Sequence, residues 1–194
     1  MKTPMSSSIT FALVFFLLSL NPTSSLPSKR ESYVQNACSV TRYQDLCAKT
    51  LLPFASVAKN SPSKWARAGV SVAITDNKDV LRHLLKTRLS TIGKRDRIAL
   101  SDCRELLQDS LDSLHKSLAV LRTLRASEFQ QQMSDLATWL SSSLTDKDTC
   151  LDGFEKTSTR SSSTVRMIRK RVTTSMYLSS NSLALLNKLA ANGL

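Results

Sequence analysis

The sequence predicts an all-α protein, an antiparallel four-helix bundle preceded by an N-terminal helical hairpin. Glycine is scarce, with four in 194 residues, and Leu, Ser, Ala, Lys and Arg dominate, as is typical of helical proteins. Apolar residues recur at spacings of three and four along four long segments. The connections between these segments are short, which favours antiparallel neighbours.

We expect residues 1–25 to be a secretory signal peptide. Lys2 is followed by an apolar run over residues 9–20 and then by small residues, with cleavage near Ser25. The run is shorter than the ~20 apolar residues of a membrane span, so an uncleaved anchor is the weaker alternative. Residues 26–194 then form one secreted domain.

The predicted hairpin covers residues 33–51. The stretch from Ser39 to Thr41 separates two short helical pieces, and Pro53 is expected to stop the second. Helices this short bury little surface, so a disulfide between them is the expected support.

The bundle is predicted over about residues 62–192. Its first helix begins near Ser63, and its second covers about residues 96–124. The third begins at Ser127, which is a good N-cap. The fourth follows a Ser/Thr-rich connection at 157–164 and ends at Gly193. We expect one core, formed by Ala66, Val70, Ala73, Asn77, Leu81, Leu84, Leu85, Leu100, Cys103, Leu107, Leu111, Leu114, Leu118, Leu121, Phe129, Met133, Leu136, Leu140, Leu144, Val165, Ile168, Val172, Met176, Ser179, Leu183, Leu186 and Ala190.

The chain contains four cysteines. After export they lie in an oxidising environment, where disulfides form. They allow three pairings, and the short interval from Cys38 to Cys47 favours a local bridge that leaves Cys103 and Cys150. Zinc is disfavoured because the chain has no C-x-x-C motif and its two histidines are far from any cysteine.

The stretch from Trp139 to Phe154 is predicted to be the end of the third bundle helix, a polar turn at residues 145–148, and then Cys150. On the second bundle helix, Cys103 shares the buried face with Leu100 and Leu107. A disulfide between Cys103 and Cys150 would fasten the turn to that helix and stabilise the fold by about 3 to 4 kcal/mol.

The formal net charge is +12, and removal of the signal takes away one cation, Lys2, and no acid. A positive charge of this size attracts polyanions. For an exported protein these are acidic polysaccharides, anionic surfaces or acidic proteins, with solubility alone as the alternative.

Four carboxylates project together from the second bundle helix, away from its apolar face. We call Asp102, Glu105, Asp109 and Asp112, which are spaced by three, four and three, the acidic strip. It is either a solvated face or a negative docking surface on an otherwise positive protein.

Enzyme signatures are missing from the sequence. There is no G-x-S-x-G, H-E-x-x-H, phosphate-binding glycine loop or calcium loop, and His83 and His115 have no recognisable catalytic partner. We therefore expect a protein without catalytic residues, cofactor or metal, and hold an uncharacterised hydrolase as a weak alternative.

Four motifs in order resemble the family of plant invertase and pectin methylesterase inhibitors over the whole mature chain. They are the spacing C-x-x-T-x-Y-x-x-x-C at residues 38–47, ALSDCRE at 99–105, the pieces WLS, LT and TCLDGF within 139–154, and SNSLAL at 180–185.

The resemblance implies a four-helix bundle with a helical hairpin and the disulfides Cys38–Cys47 and Cys103–Cys150. It implies a secreted cell-wall inhibitor that forms a 1:1 complex with pectin methylesterase and blocks its substrate cleft. Interface roles carry over to Glu105, Asp109, Asp112, Thr149 and Asp152.

The tripeptide Pro-Lys-Phe, associated with the invertase-inhibiting branch, is absent, which favours the esterase as target. The alternatives are an inhibitor of acid invertase and a basic protein associated with wall polysaccharide. We also expect electrostatic association with pectin, and neither a nucleic-acid partner nor, after signal removal, a membrane.

Overall fold

The computed structural model describes residues 28–88, 90, 92–155 and 162–194. Its α-helices in these ranges are α1 (Lys29–Cys38), α2 (Gln44–Leu51), α3 (Ala55–Ala58), α4 (Pro62–Lys86), α5 (Lys94–Arg122), α6 (Phe129–Glu155) and α7 (Ser163–Asn192), with 3-10 turns at Leu52–Phe54 and Ala126–Glu128. The described residues contain no strand, so the predicted all-α class is confirmed. The predicted signal and most of the 157–164 connection lie outside the described residues.

The four long helices form an antiparallel ring in which α4 contacts α5 and α7, and α6 contacts the same two helices. Ser61 caps α4 by accepting a hydrogen bond from the Lys64 N–H, with Pro62 next in the chain. At the other end of the bundle sequence, Gly193 closes α7 with a φ of 77°, as predicted, because glycine adopts this conformation without strain.

A second glycine sets the approach of α4 to α7. A Cβ at Gly69 would lie 3.0 Å from Leu185 Cδ1 and 3.3 Å from Ser182 Oγ. A side chain at this position would crowd Leu185 and Ser182, so the close approach of α4 to α7 favours glycine.

The hairpin begins earlier than the predicted 33–51, whereas its second helix ends at Leu51, the predicted end. Its first helix begins at Lys29 because Ser28 and Glu31 form a capping box, in which each side chain bonds the other's backbone N–H. Pro53 does not continue the second helix and lies at the start of a 3-10 turn, where its missing N–H costs nothing. The chain then continues into α3.

The hairpin is held to itself by Cys38–Cys47 and to the bundle by Asn181 on α7. The Asn181 amide donates to the Tyr43 carbonyl oxygen at 3.0 Å and its oxygen accepts from the Tyr43 N–H at 3.3 Å. Tyr43 also stacks on Tyr177, with ring centroids 3.7 Å apart. The residues of the SNSLAL motif thus include the anchor of the hairpin.

The predicted single core is wrong, because the buried apolar residues form three clusters. One lies under the hairpin, with Val34, Leu51 and Trp65. A second, in the adjoining half of the bundle, contains Val70, Leu114, Leu136 and Leu186. The third, at the far end, contains Leu84, Leu100, Cys103, Cys150, Phe154 and Ile168.

Two residues of the predicted stripes are exposed. Leu85 is 62% exposed because it lies 100° around the helix from Leu84, which occupies the core position. Ala190 is exposed near the end of α7, and Leu81, Leu111, Phe129, Leu144, Met176 and Leu183 are only partly buried.

The start and end of the third bundle helix both differ from the prediction. Ser127 is not its N-cap, because it lies inside the 3-10 turn Ala126–Glu128 and α6 begins at Phe129. The predicted turn at 145–148 is helical, and α6 continues to Glu155. No proline interrupts this stretch, and its polar residues are compatible with a helix whose outer face is solvated.

Candidate functional site

The acidic strip lies on the outer face of α5. Asp102, Glu105, Asp109 and Asp112 are all exposed, and within the described ranges none of them forms an ion pair or accepts a hydrogen bond from another side chain. Four unpaired carboxylates on one helix face repel each other. They do not stabilise the fold, and their charges are available to a partner.

The neighbouring helix α6 presents the other two predicted interface residues. Thr149 and Asp152 are exposed on it; they lie on a helix and not on the predicted turn. The Thr149 hydroxyl donates to the Thr145 carbonyl oxygen of its own helix at 2.9 Å. Toward a partner it therefore offers oxygen lone pairs, as the carboxylates do.

A disulfide beneath this surface fixes α5 against α6. Cys103 and Cys150 are bonded and almost fully buried, with their Cα atoms 4.5 Å apart, so the predicted pairing is confirmed. Glu105 lies two residues after one cysteine, and Thr149 and Asp152 flank the other. The covalent bond thereby sets the register of the predicted interface residues on the two helices.

The acidic surface extends across the groove between the helices. Burial raises the pKa of Asp146 on α6, the charge of Asp109 on α5 raises it further, and Lys147 lowers it. Asp109 is therefore close enough to influence a carboxylate on α6, and the two helices contribute to one electrostatic surface.

This surface is suited to recognition. The carboxylates accept hydrogen bonds, and so does the Thr149 hydroxyl, because its proton is donated within its own helix. A complementary partner surface would therefore carry Lys, Arg or N–H donors. Two surface cavities, of about 380 and 230 Å³, lie beside Phe54 and Ser71. Neither is lined by a residue of the acidic strip.

The structure also contains a buried charge that the sequence analysis missed. Lys147 on α6 has no exposed surface. Its Nζ donates to the hydroxyls of Ser110 at 2.6 Å, Ser143 at 2.9 Å and Ser179 at 2.9 Å. Three hydroxyls, from α5, α6 and α7, thus match the three protons of an ammonium group.

The environment of Lys147 shifts its pKa. Burial lowers the pKa of Lys147 to about 7, and the charges of Asp76 and Asp146 offset only part of this effect. Burial likewise raises the pKa of Asp76 on α4, which Ser175 and Lys147 lower by smaller amounts. Each group is disfavoured in its charged form because water is excluded around it.

We call Asp76, Asn77, Ser110, Ser143, Asp146, Lys147, Ser175 and Ser179 the polar layer. All four bundle helices contribute to it, and it separates the two apolar clusters of the bundle. In addition, Asn77 donates to the Leu107 carbonyl oxygen at 2.8 Å. One sequence signal was available, since Leu140, Ser143, Lys147, Cys150 and Phe154 are spaced by threes and fours along the inner face of α6.

Residues 32–185 match the family described as plant invertase/pectin methylesterase inhibitor. The chain belongs to this family. It is 64% identical over 172 residues to pectinesterase inhibitor 6 of Arabidopsis thaliana, covering 89% of this chain and 82% of that relative. It is 29% identical to pectinesterase inhibitor 9 of the same plant, covering 96% and 95%.

Solved structures from the family share the fold. A mutant form of a pectin methylesterase inhibitor from Arabidopsis superposes with a TM-score of 0.62, covering 77% of this chain and 92% of that one at 17% identity. A pectin methylesterase inhibitor from Arabidopsis thaliana gives a TM-score of 0.56, covering 81% and 96% at 19% identity. These likenesses establish a shared bundle architecture.

Two further properties concern only the part of the chain that the structure describes. No helix in it is both long and apolar enough to cross a bilayer. Its His, Cys, Asp and Glu side chains form no group of three or more that could hold a metal ion.

Proposed function

We propose that this protein is a secreted inhibitor of pectin methylesterase that binds the enzyme 1:1 and blocks its substrate cleft. It would thereby limit removal of methyl esters from pectin in the cell wall. The observation that carries the proposal is the 64% identity, over 89% of the chain, to a relative named as a pectinesterase inhibitor. The exposed acidic strip supports it with a surface suited to docking.

In this proposal the interface consists of Glu105, Asp109 and Asp112 on α5 with Thr149 and Asp152 on α6. The side chains accept hydrogen bonds from donors at the rim of the enzyme cleft, and the rigid helix pair excludes substrate. The buried disulfide holds the interface in its bound geometry, which lowers the entropy cost of association. The chain itself contributes no catalytic residue, and inhibition results from occlusion alone.

The location follows from the same proposal. A signal peptide at residues 1–25 directs the chain out of the cell, where its disulfides are stable, and its positive charge favours association with pectin. Acid invertase is the second candidate target, because the matched family description includes invertase inhibitors.

A charge reversal tests the interface. The variant with Asp109→Lys and Asp112→Lys should lose at least roughly 100-fold in affinity for pectin methylesterase, because two attractive contacts become repulsive. Both positions are exposed, so helicity by circular dichroism should be unchanged. Inhibition is measured by titrating methyl-ester release with each form of the protein.

A matched control is the variant with Asp45→Lys and Asp79→Lys, which changes the net charge equally on α2 and α4, away from the strip. It should inhibit as the unmodified protein does. Equal inhibition by both variants, with intact helicity, would refute the assignment of the strip to the interface.

A further inference from the structure

The positive charge of this protein is concentrated in two stretches of sequence. Residues 82–104 and 156–171 hold thirteen of the 27 Lys and Arg residues but only two of the 15 Asp and Glu residues. The remainder of the chain is close to neutral. A charge that served only solubility would have no reason to cluster in this way.

The fold brings the described residues of these stretches to one end of the bundle, where α4 ends and where α5 and α7 begin. We call Lys86, Lys94, Arg95, Arg97, Lys170 and Arg171 the basic end. All six are exposed, and none of them forms an ion pair within the described ranges.

The elements of this end influence one another electrostatically. Burial lowers the pKa of His83 in the last turn of α4, and the charge of Arg171 on α7 lowers it further. The Arg104 guanidinium on α5 donates to the Leu84 carbonyl oxygen on α4 at 2.7 Å. Cations of α5 and α7 therefore lie close to the last turn of α4.

Helix stability does not account for most of these charges. Lys86 is favourable at the C-terminus of α4, but Lys94, Arg95 and Arg97 lie in the first turn of α5, where the helix dipole favours acidic residues. These three cations repel each other and the helix end. A negatively charged ligand would remove both penalties.

We propose that the basic end binds a linear polycarboxylate, namely pectin whose methyl esters have been removed. The choice of polymer rests on the proposed function, since this polyanion is the product of the inhibited esterase. Residues 82–104 and 156–171 contain no Phe, Trp or Tyr, which disfavours the stacking of nucleic-acid bases and the aromatic anchoring of proteins at membranes. The acidic strip on α5, with Thr149 and Asp152 on α6, remains available to the enzyme while the polymer is bound.

Binding is tested by titrating the purified, oxidised protein with polygalacturonate, with fully methyl-esterified polygalacturonate and with vesicles containing anionic lipid. We expect binding to polygalacturonate alone, weakened steeply by salt. The variant with Lys94→Gln, Arg95→Gln and Arg97→Gln should bind on the order of 10- to 100-fold more weakly. The matched variant with Lys49→Gln, Arg67→Gln and Lys116→Gln should bind as the unmodified protein does.

Equal weakening by the two triple variants, equal binding to the esterified polymer, or preference for the anionic vesicles would each overturn the proposal. The vesicles are included because the apolar side chains of Leu85 and Ile98 are exposed at the same end and could contact a lipid surface. Inhibition of the esterase is measured separately on the same samples. Polymer binding without inhibition would refute the proposed function but support the polymer site. Inhibition without polymer binding would support the proposed function but refute the polymer site.

Discussion

At the scale of single residues, Lys147 is the side chain whose position is hardest to reconcile with stability alone. Burying an ammonium group costs several kcal/mol unless it is fully hydrogen-bonded. Here the hydroxyls of Ser110, Ser143 and Ser179 accept its three protons. One of these hydroxyls can rotate to donate to the single lone pair of a neutral amine while the others accept its two protons, so both protonation states can be accommodated.

The lowered pKa makes the stability of the protein depend on pH. Between about pH 7 and pH 10.5, the unfolded chain retains the Lys147 proton while the folded protein releases it. The free energy of unfolding therefore rises with pH in this window, by at most about 1.4 kcal/mol per pH unit. Urea unfolding at pH 7 and at pH 9 should show a gain of roughly 2 kcal/mol from this group.

The Lys147→Gln variant should lack this gain, and Lys147→Met provides a second variant if the first does not fold. Parallel stability profiles for the variant and the unmodified protein would contradict the assignment. The raised pKa values of Asp76 and Asp146 have the opposite effect on stability. The stability that these groups confer when protonated is lost as the pH rises through their folded-state pKa values.

Lys147 also shows what a hydrophobic pattern cannot predict. The exposure of Asp109 and Asp112 followed from spacing, because polar residues opposite an apolar stripe face water. In a hydrophobic pattern, a lysine such as Lys147 on the inner face interrupts the apolar stripe and is not predicted to be buried. Its burial depends on serines from other helices. Spacing within one helix carries no information about those partners.

At the scale of elements, the continuity of α6 determines how the proposed interface is presented. The predicted polar turn at residues 145–148 is instead helical, and α6 continues to Glu155. Thr149 and Asp152 are thus held on a regular helix, with Cys150 between them directed into the core. A rigid element positions binding residues more reproducibly than a loop does.

Removal of either disulfide should destabilise the fold, but to different extents. The Cys103–Cys150 bridge closes a longer loop than Cys38–Cys47, 47 residues against nine. In the loop-entropy account the corresponding losses are about 4 and about 2.6 kcal/mol. Denaturant unfolding of Cys103→Ser with Cys150→Ser, and of Cys38→Ser with Cys47→Ser, measures both.

Only the first double variant should also weaken inhibition at temperatures where both proteins remain folded, because only that bridge sets the register of α5 and α6. A larger loss of stability or of inhibition in the hairpin variant would contradict this division of roles.

At the scale of the whole molecule, the four-helix architecture could be predicted because long apolar stripes separated by short connections have few other solutions. The division of the core could not, since it depends on which polar residues meet from four different helices. The same limit applies to the basic end. Its charges are visible in the sequence, but their convergence depends on the antiparallel order of α4, α5 and α7.

The molecule combines an acidic surface on α5 and α6 with a basic end at one extremity of the bundle. This separation of charge is consistent with two binding functions that do not compete. The acidic surface is proposed for the enzyme, and the basic end is proposed for its polymeric product.

The measurement that tests the central claim most directly is a parallel titration of a plant pectin methylesterase and an acid invertase with the purified, oxidised protein. Methyl-ester release and sucrose cleavage are followed over the same range of inhibitor concentrations. We expect esterase activity to fall to zero at one equivalent of inhibitor while invertase activity is unchanged. Loss of invertase activity alone would move the target to that enzyme, and full activity of both would contradict the proposed function.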